Sequence, residues 1–477
     1  MSKIKVVFKN ISWLTVSQII TSVCAFFWTI VIANYLEVEK YGIISFSTSF
    51  IGIAIVLVDF GMTTYVTREV SRKQESLRDY ANLIFGLKFI LSLIVLILSL
   101  GALWMWGCSK TTILVTLIFL SEMIIMSFTQ FICGIFQAYE NLKYQAIGGV
   151  INCILLISGV LITIFLNLGI YGIALSYVIG YVGFGTFMST KYLKRFGWPC
   201  PYVDIKKSIC IIKKSLPFGI TSLFNTIYFW INTVMLSTMK GDYEAGIYKA
   251  VFNIIMVFTT LFSVYELVLF PVMSKFYVNK KELIQKSYEK SIKYLLSLSL
   301  PMCAGICIYA RPIIELIYNK SYSATVVPLK ISVWTVVILF LNGVTMMVLN
   351  AVNMEKRVTI IYLIGTVINV LLNLILVPKY SYNGAAYATL ISVTLIFIIL
   401  FLQIVRTKFR PKIALVISTV KILRSTTVMV IVLLIYEIPM WSGIIVGILI
   451  YGINFLGLGI LDEQDKYIFK HLMHKEK

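Results

Sequence analysis

The sequence predicts an all-α integral membrane protein of about fourteen transmembrane helices: two pseudo-symmetric six-helix lobes and two further C-terminal helices. Three observations carry that expectation. The chain is 59% hydrophobic and only 13% charged over 477 residues, with a mean hydropathy of +0.91. Apolar runs of spanning length recur from end to end. The basic residues gather in alternate loops between those runs.

A soluble domain of this size could not hide so much apolar surface. Helices spanning lipid can, because they satisfy their own backbone hydrogen bonds and need only roughly 20 apolar residues each. The net charge of +21 would suit nucleic acid, but it is spread over short inter-span loops. Membrane lipids, and not nucleic acid, are therefore the expected partner.

The eight cysteines (Cys24, Cys108, Cys133, Cys153, Cys200, Cys210, Cys303, Cys307) are scattered, mostly in apolar runs. Without a CxxC pair they read as small core residues, with neither a zinc site nor a disulfide framework. The basic start, "MSKIKVVFKN", leads into an apolar stretch longer than a signal-peptide core, so an uncleaved anchor is expected.

In order, the spans fall near 12–36, 41–66, 81–106, 111–138, 144–167, 169–191, 216–238, 244–272, 292–316, 326–350, 357–378, 383–405, 421–437 and 441–460. The thirteenth is the weakest: it opens on Lys421 and Arg424, and "PKIALVISTVKILR" reads equally as a segment along the membrane surface. One set of loops holds clusters: Lys3, Lys5 and Lys9; Arg68, Arg72, Lys73 and Arg78; Lys191 to Lys214; Lys275 to Lys293; Lys356 and Arg357; Arg406 to Lys412. The other holds only Lys40, Lys110, Lys240, Lys320 and Lys379. That asymmetry puts both termini in the cytoplasm of a cell-membrane protein. Trp104, Trp106 and Trp441 fall at expected outer ends and Trp13 at an inner one, as interfacial anchors. The longest break, 191–217, reads either as a basic amphipathic stretch in the headgroup region or as a solvated connector between halves.

The halves repeat. "REVSRK" ends the second span and "PVMSKF" the eighth, aligning Ser71 with Ser274. The same offset lays Gln18, Ser22, Ala25 and Thr29 on Thr221, Asn225, Tyr228 and Asn232, each set on one helical face. "QAYENLK" is echoed by "NAVNMEK", and "YGIALSYVIG" by "NGAAYATLIS". Six spans per unit put the repeats in the same orientation, a transporter device with the cargo held at their interface. The expected divisions are lobes at 1–200 and 201–412, with accessory helices and tail at 413–477.

"NYLEVEKYGIISFSTSF" (34–50), "VDFGMTTYVTREVSR" (58–72) and "VINVLLNLILVPKYSYNGAAYAT" (367–389) resemble the polysaccharide transporter family. These are the O-antigen and oligosaccharide flippases of the multidrug/oligosaccharidyl-lipid/polysaccharide exporter superfamily. The resemblance covers nearly the whole chain. It implies two six-helix lobes around a central cavity, and movement of a polyprenyl-diphosphate-linked oligosaccharide to the outer leaflet. It also implies no bound cofactor, use of an H+ or Na+ gradient or of substrate supply, and polysaccharide polymerase machinery as a candidate partner.

A sugar headgroup crossing lipid needs a hydrogen-bonding path. Three polar rows at helical spacing offer one: Thr221–Asn225–Tyr228–Asn232, Tyr362–Thr366–Asn369–Asn373, and Glu122–Met126–Gln130–Cys133–Gln137. Gln18 joins the first through the repeat. Each row either lines a cavity or glues helices together, and the second reads more readily as helix packing. Buried carboxylates at bilayer depth face a cavity or a partner, so Asp59, Glu122 and Glu266 are the ion-coupling candidates. Asp59 and Glu266 differ by about one turn in the repeat register. The alternative is a structural ion pair, as between Asp59 and Lys88. Lys88, Lys249, Lys330 and Arg311 are near-span cations suited to a diphosphate, although Arg311 also suits an i,i+4 pair with Glu315.

The only histidines, His471 and His474, sit in the tail, which disfavours histidine-based relay or acyl transfer within the membrane and offers only a weak metal pair. No metal site is expected. No phosphate-binding glycine loop supports direct ATP use. "LEVEK" places Glu37 and Glu39 in the first outer loop, where membrane glycosyltransferases keep acids, but no sizeable outer loop is present to build a site. The expectation is thus a flippase and not an enzyme. The rivals are a drug/cation antiporter of the same superfamily, a membrane glycosyltransferase or polymerase, and a non-transporting scaffold.

Overall fold

The computed structural model describes residues 3–73, 75, 77–279 and 281–460, with side chains from residue 17 onward apart from 264, 267, 268, 271, 278 and 279. The side chains of Trp13 and of the first three lysines, and the histidine pair of the tail, lie outside that set. Every long element is a helix. In order they are α1 (Lys3–Asp59), α2 (Met62–Arg72), α3 (Leu77–Met105), α4 (Lys110–Ala138), α5 (Lys143–Phe165), α6 (Gly169–Phe196), α7 (Ile205–Lys240) and α8 (Asp242–Asn279). Then follow α9 (Glu282–Ile308), α10 (Ala310–Ile317), a 3-10 turn (Lys320–Thr325), α11 (Val326–Ser332), α12 (Trp334–Ala351), α13 (Glu355–Val405), α14 (Ile413–Ile435) and α15 (Met440–Gly457).

Among the described residues, eleven helices are long and apolar enough to cross a membrane. Two of these are broken inside. Glu37 interrupts α1 with φ 68 and Ser381 interrupts α13 with φ 50. These breaks fall where the sequence places the loops between spans one and two and between spans eleven and twelve. Elsewhere the turns are equally tight, and Glu140, Asn167, Asn353 and Glu437 reverse the chain through positive φ.

Several boundaries differ from expectation: α7 and α9 start well before 216 and 292, the ninth span breaks after Ile308, and the tenth is split into α11 and α12. Two further differences concern the second and thirteenth spans. The second span does not run unbroken to residue 66. It stops at Asp59, because Phe60 and Gly61 both take positive φ (44 and 76), and α2 starts afresh at Met62. Its repeat counterpart α8 is continuous from Asp242 to Asn279. The thirteenth span starts earlier than expected. Pro411 cannot extend a helix backwards through its ring, Lys412 is extended, and one uninterrupted helix runs from Ile413 to Ile435. "PKIALVISTVKILR" is therefore mostly the first half of α14 and not a separate surface segment.

The chain forms two compact units, Met1–Val257 with Tyr362–Ala388, and Phe258–Ile361 with Thr389–Lys477. The first holds α1 to α7, the start of α8 and the middle of α13. Its closest pairing is α5 on α6, with α4 on α6 and α1 on α4, α5 and α7. In lipid, helix association draws on close packing more than on water exclusion, so small residues mark the contacts. Gly42 lies on the Asp242 carbonyl and Gly246 on the Val38 carbonyl, so α1 and α8 touch backbone to backbone. One end of the second half of α1 is sealed there; at the other end Gly61 meets Gly219 and the Ser215 carbonyl of α7.

In the second unit α9 packs on α12 and α14, and α14 on α15. Tyr309 donates to the Ile438 carbonyl (2.9 Å) and Tyr451 to the Ser297 carbonyl (2.8 Å), which ties α15 and the turn before it to α9. Between them lies an apolar cavity of about 420 Å³, bordered by Pro301, Met302, Met429, Leu433, Gly443 and Gly447.

Candidate functional site

The polar groups of the first unit form three interior centres. The first is built on the break after α1. Asp59, the last residue of α1, accepts from the hydroxyl and the backbone N–H of Thr63. Its carboxylate thereby replaces the backbone carbonyl that the broken helix no longer supplies. Lys88 reaches it from α3, with Nζ 2.6 Å from Oδ1. The same ammonium donates to Ser127 Oγ on α4 (3.0 Å) and lies 5.8 Å from the Phe131 ring centre. The Lys88 side chain is 1% exposed and that of Asp59 21%. The ion-pair reading of these two residues thus describes the geometry, and it joins α1, α3 and α4.

The second centre is Glu122 on α4. It is buried, and its Oε2 has no hydrogen-bond partner among the described residues. Tyr177 and Tyr181 of α6 lie within electrostatic reach of it. The row read from Glu122 to Gln137 does not stay on one side: Glu122 and Cys133 are buried, whereas Gln130 and Gln137 are exposed.

The third centre is an amide network. Asn373 of α13 donates to Asn232 Oδ1 of α7 (2.8 Å) and to the Asn369 carbonyl (2.8 Å). Asn232 donates to the Tyr248 hydroxyl of α8 (2.9 Å), and Thr366 reaches the Phe224 carbonyl (3.5 Å). All three asparagines are buried, so this row packs between helices. Asn373→Leu removes the donor to Asn232 Oδ1 and to the Asn369 carbonyl. The expected loss is about 1–3 kcal/mol, read as a lowered unfolding midpoint of the purified protein.

The remaining candidates are dispersed. Gln18, Thr221 and Asn225 are exposed and Tyr228 is half-buried. Glu266 is half-buried in the second unit. Arg311 pairs with Glu315 (3.0 Å), as its spacing suggests, and Lys330 is exposed. Lys249 is buried on α8 with Nζ 4.5 Å from the Trp230 ring centre and 5.2 Å from that of Phe252. One turn on, Asn253 donates to the Tyr41 hydroxyl of α1 (2.5 Å).

Sequence reasoning missed Asp242 and Tyr41. Asp242 accepts from Thr112 of α4 (3.0 Å) and Ser237 of α7 (2.5 Å) beside a polar cavity of about 260 Å³. Burial, and then the Asp242 carboxylate, push the neighbouring Cys108 thiol up from its ordinary range. An acid that starts a helix after Gly241 was the available signal; nothing in the sequence marks Tyr41.

This architecture is that of a multi-pass helical membrane protein whose first unit encloses charged and amide groups. The family model described as "Polysaccharide biosynthesis protein" matches residues 7–277, and the MatE model matches 217–375. The first match covers more than half of the chain, which therefore belongs to the polysaccharide biosynthesis protein family, as its resemblance to the polysaccharide transporters implies. The uncharacterized membrane protein MJ1375 of Methanocaldococcus jannaschii is 24% identical over 420 residues, 84% of this chain and 98% of its own length. The probable flippase AglR of Haloferax volcanii is 27% identical over 172 residues, 35% of this chain and 36% of its own. Among solved structures, the lipid II flippase MurJ in its inward closed conformation matches with a TM-score of 0.78 at 16% identity, covering 92% of this chain and 97% of that one. An inward-facing multidrug resistance MATE family transporter of the MOP superfamily matches at 0.66 and 17% identity, covering 83% and 97%. At such identities the likeness is one of fold.

Proposed function

We propose that this chain is a flippase that moves polyprenyl-diphosphate-linked oligosaccharide from the cytoplasmic to the outer leaflet of the cell membrane for surface polysaccharide assembly. Membership of the polysaccharide biosynthesis family carries the reading, and the full-length fold likeness to a lipid II flippase supports it. Both termini are cytoplasmic in this scheme, and the lobes 1–200 and 201–412 rock about the cargo while 413–477 rides with the second. No bond is made or broken.

The glycine contacts give the scheme two seams in the first unit: Gly42 with Gly246, and Gly61 with Gly219. Alternating access parts them in turn. Gln18, Gln130, Asn225 and Tyr228 offer hydrogen bonds to the sugar, and Lys249, whose ammonium faces only aromatic rings in the described contacts, offers charge to the diphosphate. Asn232, Asn369 and Asn373, already bonded to one another, hold α7 against α13. Lys88 serves Asp59. Glu122, buried with an oxygen that has no partner among the described residues, is the foremost site for H+ or Na+ coupling; Asp59 and Glu266 are secondary. A polysaccharide polymerase is the partner such a flippase would feed.

Removing the protein from its host tests the reading. Lipid-linked sugar accumulates on the cytoplasmic leaflet, the wild type restores export, and Glu122→Gln present at wild-type levels restores severalfold less. Normal export with shortened glycans would assign a polymerase instead. The MatE match over 217–375 favours a second reading, a drug/cation antiporter; dye efflux dependent on the protein, with normal glycan export, would select it.

A further inference from the structure

The start of α7 carries a second apolar stripe on its outward side, apart from the face it buries. Ser208, Ile211 and Ser215 face inward and are buried. Ile205, Ile209 and Leu216 form a separate stripe that faces out, with Ile205 71% and Ile209 49% exposed. Lys206 and Lys213 run along the edge of that stripe at helical spacing, and Lys207 and Lys214 lie exposed beyond them. A span needs roughly 20 residues, and α7 has 36. By length the part after Pro217 suffices, which leaves the stripe free to meet the headgroup layer.

The segment before α7 is not a loose tether. The N–H groups of Cys200 and Tyr202 donate to the side chain (2.9 Å) and backbone carbonyl (3.3 Å) of Asn82 on α3. Gly86, one turn on, lets the Tyr202 carbonyl lie against α3. Asp204 caps α7 through the Lys207 N–H (3.1 Å). So held, the segment leaves Trp198 80% exposed. From Lys191 to Lys214 the chain carries Lys191, Lys194, Arg195, Lys206, Lys207, Lys213 and Lys214 against one acid, Asp204. Asp79, at the start of α3, is the nearest acid in sequence to Asn82.

We propose that residues 198–216 form a fixed docking surface for anionic phospholipid headgroups of the leaflet on the side of the basic loops. Trp198, Ile205 and Ile209 enter the interfacial layer, and the lysines pair with lipid phosphates. The surface holds the connector between the repeats on the membrane, whatever the cargo.

Full-length protein in lipid nanodiscs tests this through Trp198 fluorescence, isolated as the difference between wild type and Trp198→Phe. Brominated phosphatidylglycerol quenches that signal several-fold more than brominated phosphatidylcholine. Lys206→Gln, Lys207→Gln, Lys213→Gln and Lys214→Gln together remove the preference. All four lysines are exposed, so the variant folds, as its unchanged elution and unfolding midpoint verify. Quenching by aqueous acrylamide but by neither lipid would make the segment a solvated connector and overturn the proposal. Equal quenching by both lipids, untouched by the lysine changes, would also overturn it. Displacement of the brominated lipid by trace polyprenyl diphosphate would reassign the surface to a cargo and overturn its commitment to bulk phospholipid.

Discussion

Asp59→Asn lowers the unfolding free energy of the purified protein by about 3–5 kcal/mol, and Lys88→Gln added to it recovers part of the loss. The reason is desolvation. Lys88 is fully enclosed, and its Nζ has Asp59 at 2.6 Å and Ser127 as its hydrogen-bond partners. Removing one charge leaves the other in a medium that cannot solvate it; removing both leaves neutral groups that still bond to Thr63 and Ser127. A double-mutant cycle in thermal unfolding measures the coupling. Glycan export in the same four proteins separates two roles. If the pair only fastens α1 to α3, export returns with stability in the double variant. If Asp59 also carries the coupling ion, export stays low while stability recovers.

Gly42→Val is expected to lower stability by about 1–3 kcal/mol or more, the scale of overpacking a tight contact, and to reduce the folded yield several-fold. A Cβ there would collide with the Asp242 carbonyl, and the atom in the way is backbone, which cannot swing aside as a side chain does. Gly246 is pressed in the same way by the Val38 carbonyl, so neither helix can retreat locally. Gly101 of α3 is the control: nothing stands within 4 Å of its would-be Cβ. Gly101→Ala should leave stability unchanged or raise it by up to about 1 kcal/mol through helix propensity. Midpoints in a single detergent compare the three proteins.

Hydropathy and length made the helical spans legible, because a helix in lipid must be long and apolar whatever it touches. The breaks at Glu37 and Ser381 were readable too, since polar residues interrupt the apolar runs there. The elbow at Phe60–Gly61 was missed because only one glycine marks it and the helical pattern resumes directly at Met62. Within the site, Lys88 was legible as a partner for Asp59 by register across adjacent spans. The second asparagine row was legible as packing, since Asn369 and Asn373 are flanked by leucines and isoleucines. The split of the α4 row was not. Spacing places residues on one stripe, but neighbouring helices decide how much of the stripe they cover, and α6 covers Glu122 and leaves Gln130 open. Tyr41 with Asn253, 212 residues apart, follows from tertiary packing alone.

At the elbow, the strut between α1 and α2 is not a peptide carbonyl but a carboxylate, which Thr63 and Lys88 share. Within a helix each N–H is held by the backbone carbonyl four residues back, a neutral partner that no side-chain change removes. At this joint the partner is a single side chain, so Asp59→Ala would take it from both the Thr63 N–H and the Lys88 ammonium and loosen α2 at the elbow without unwinding a turn.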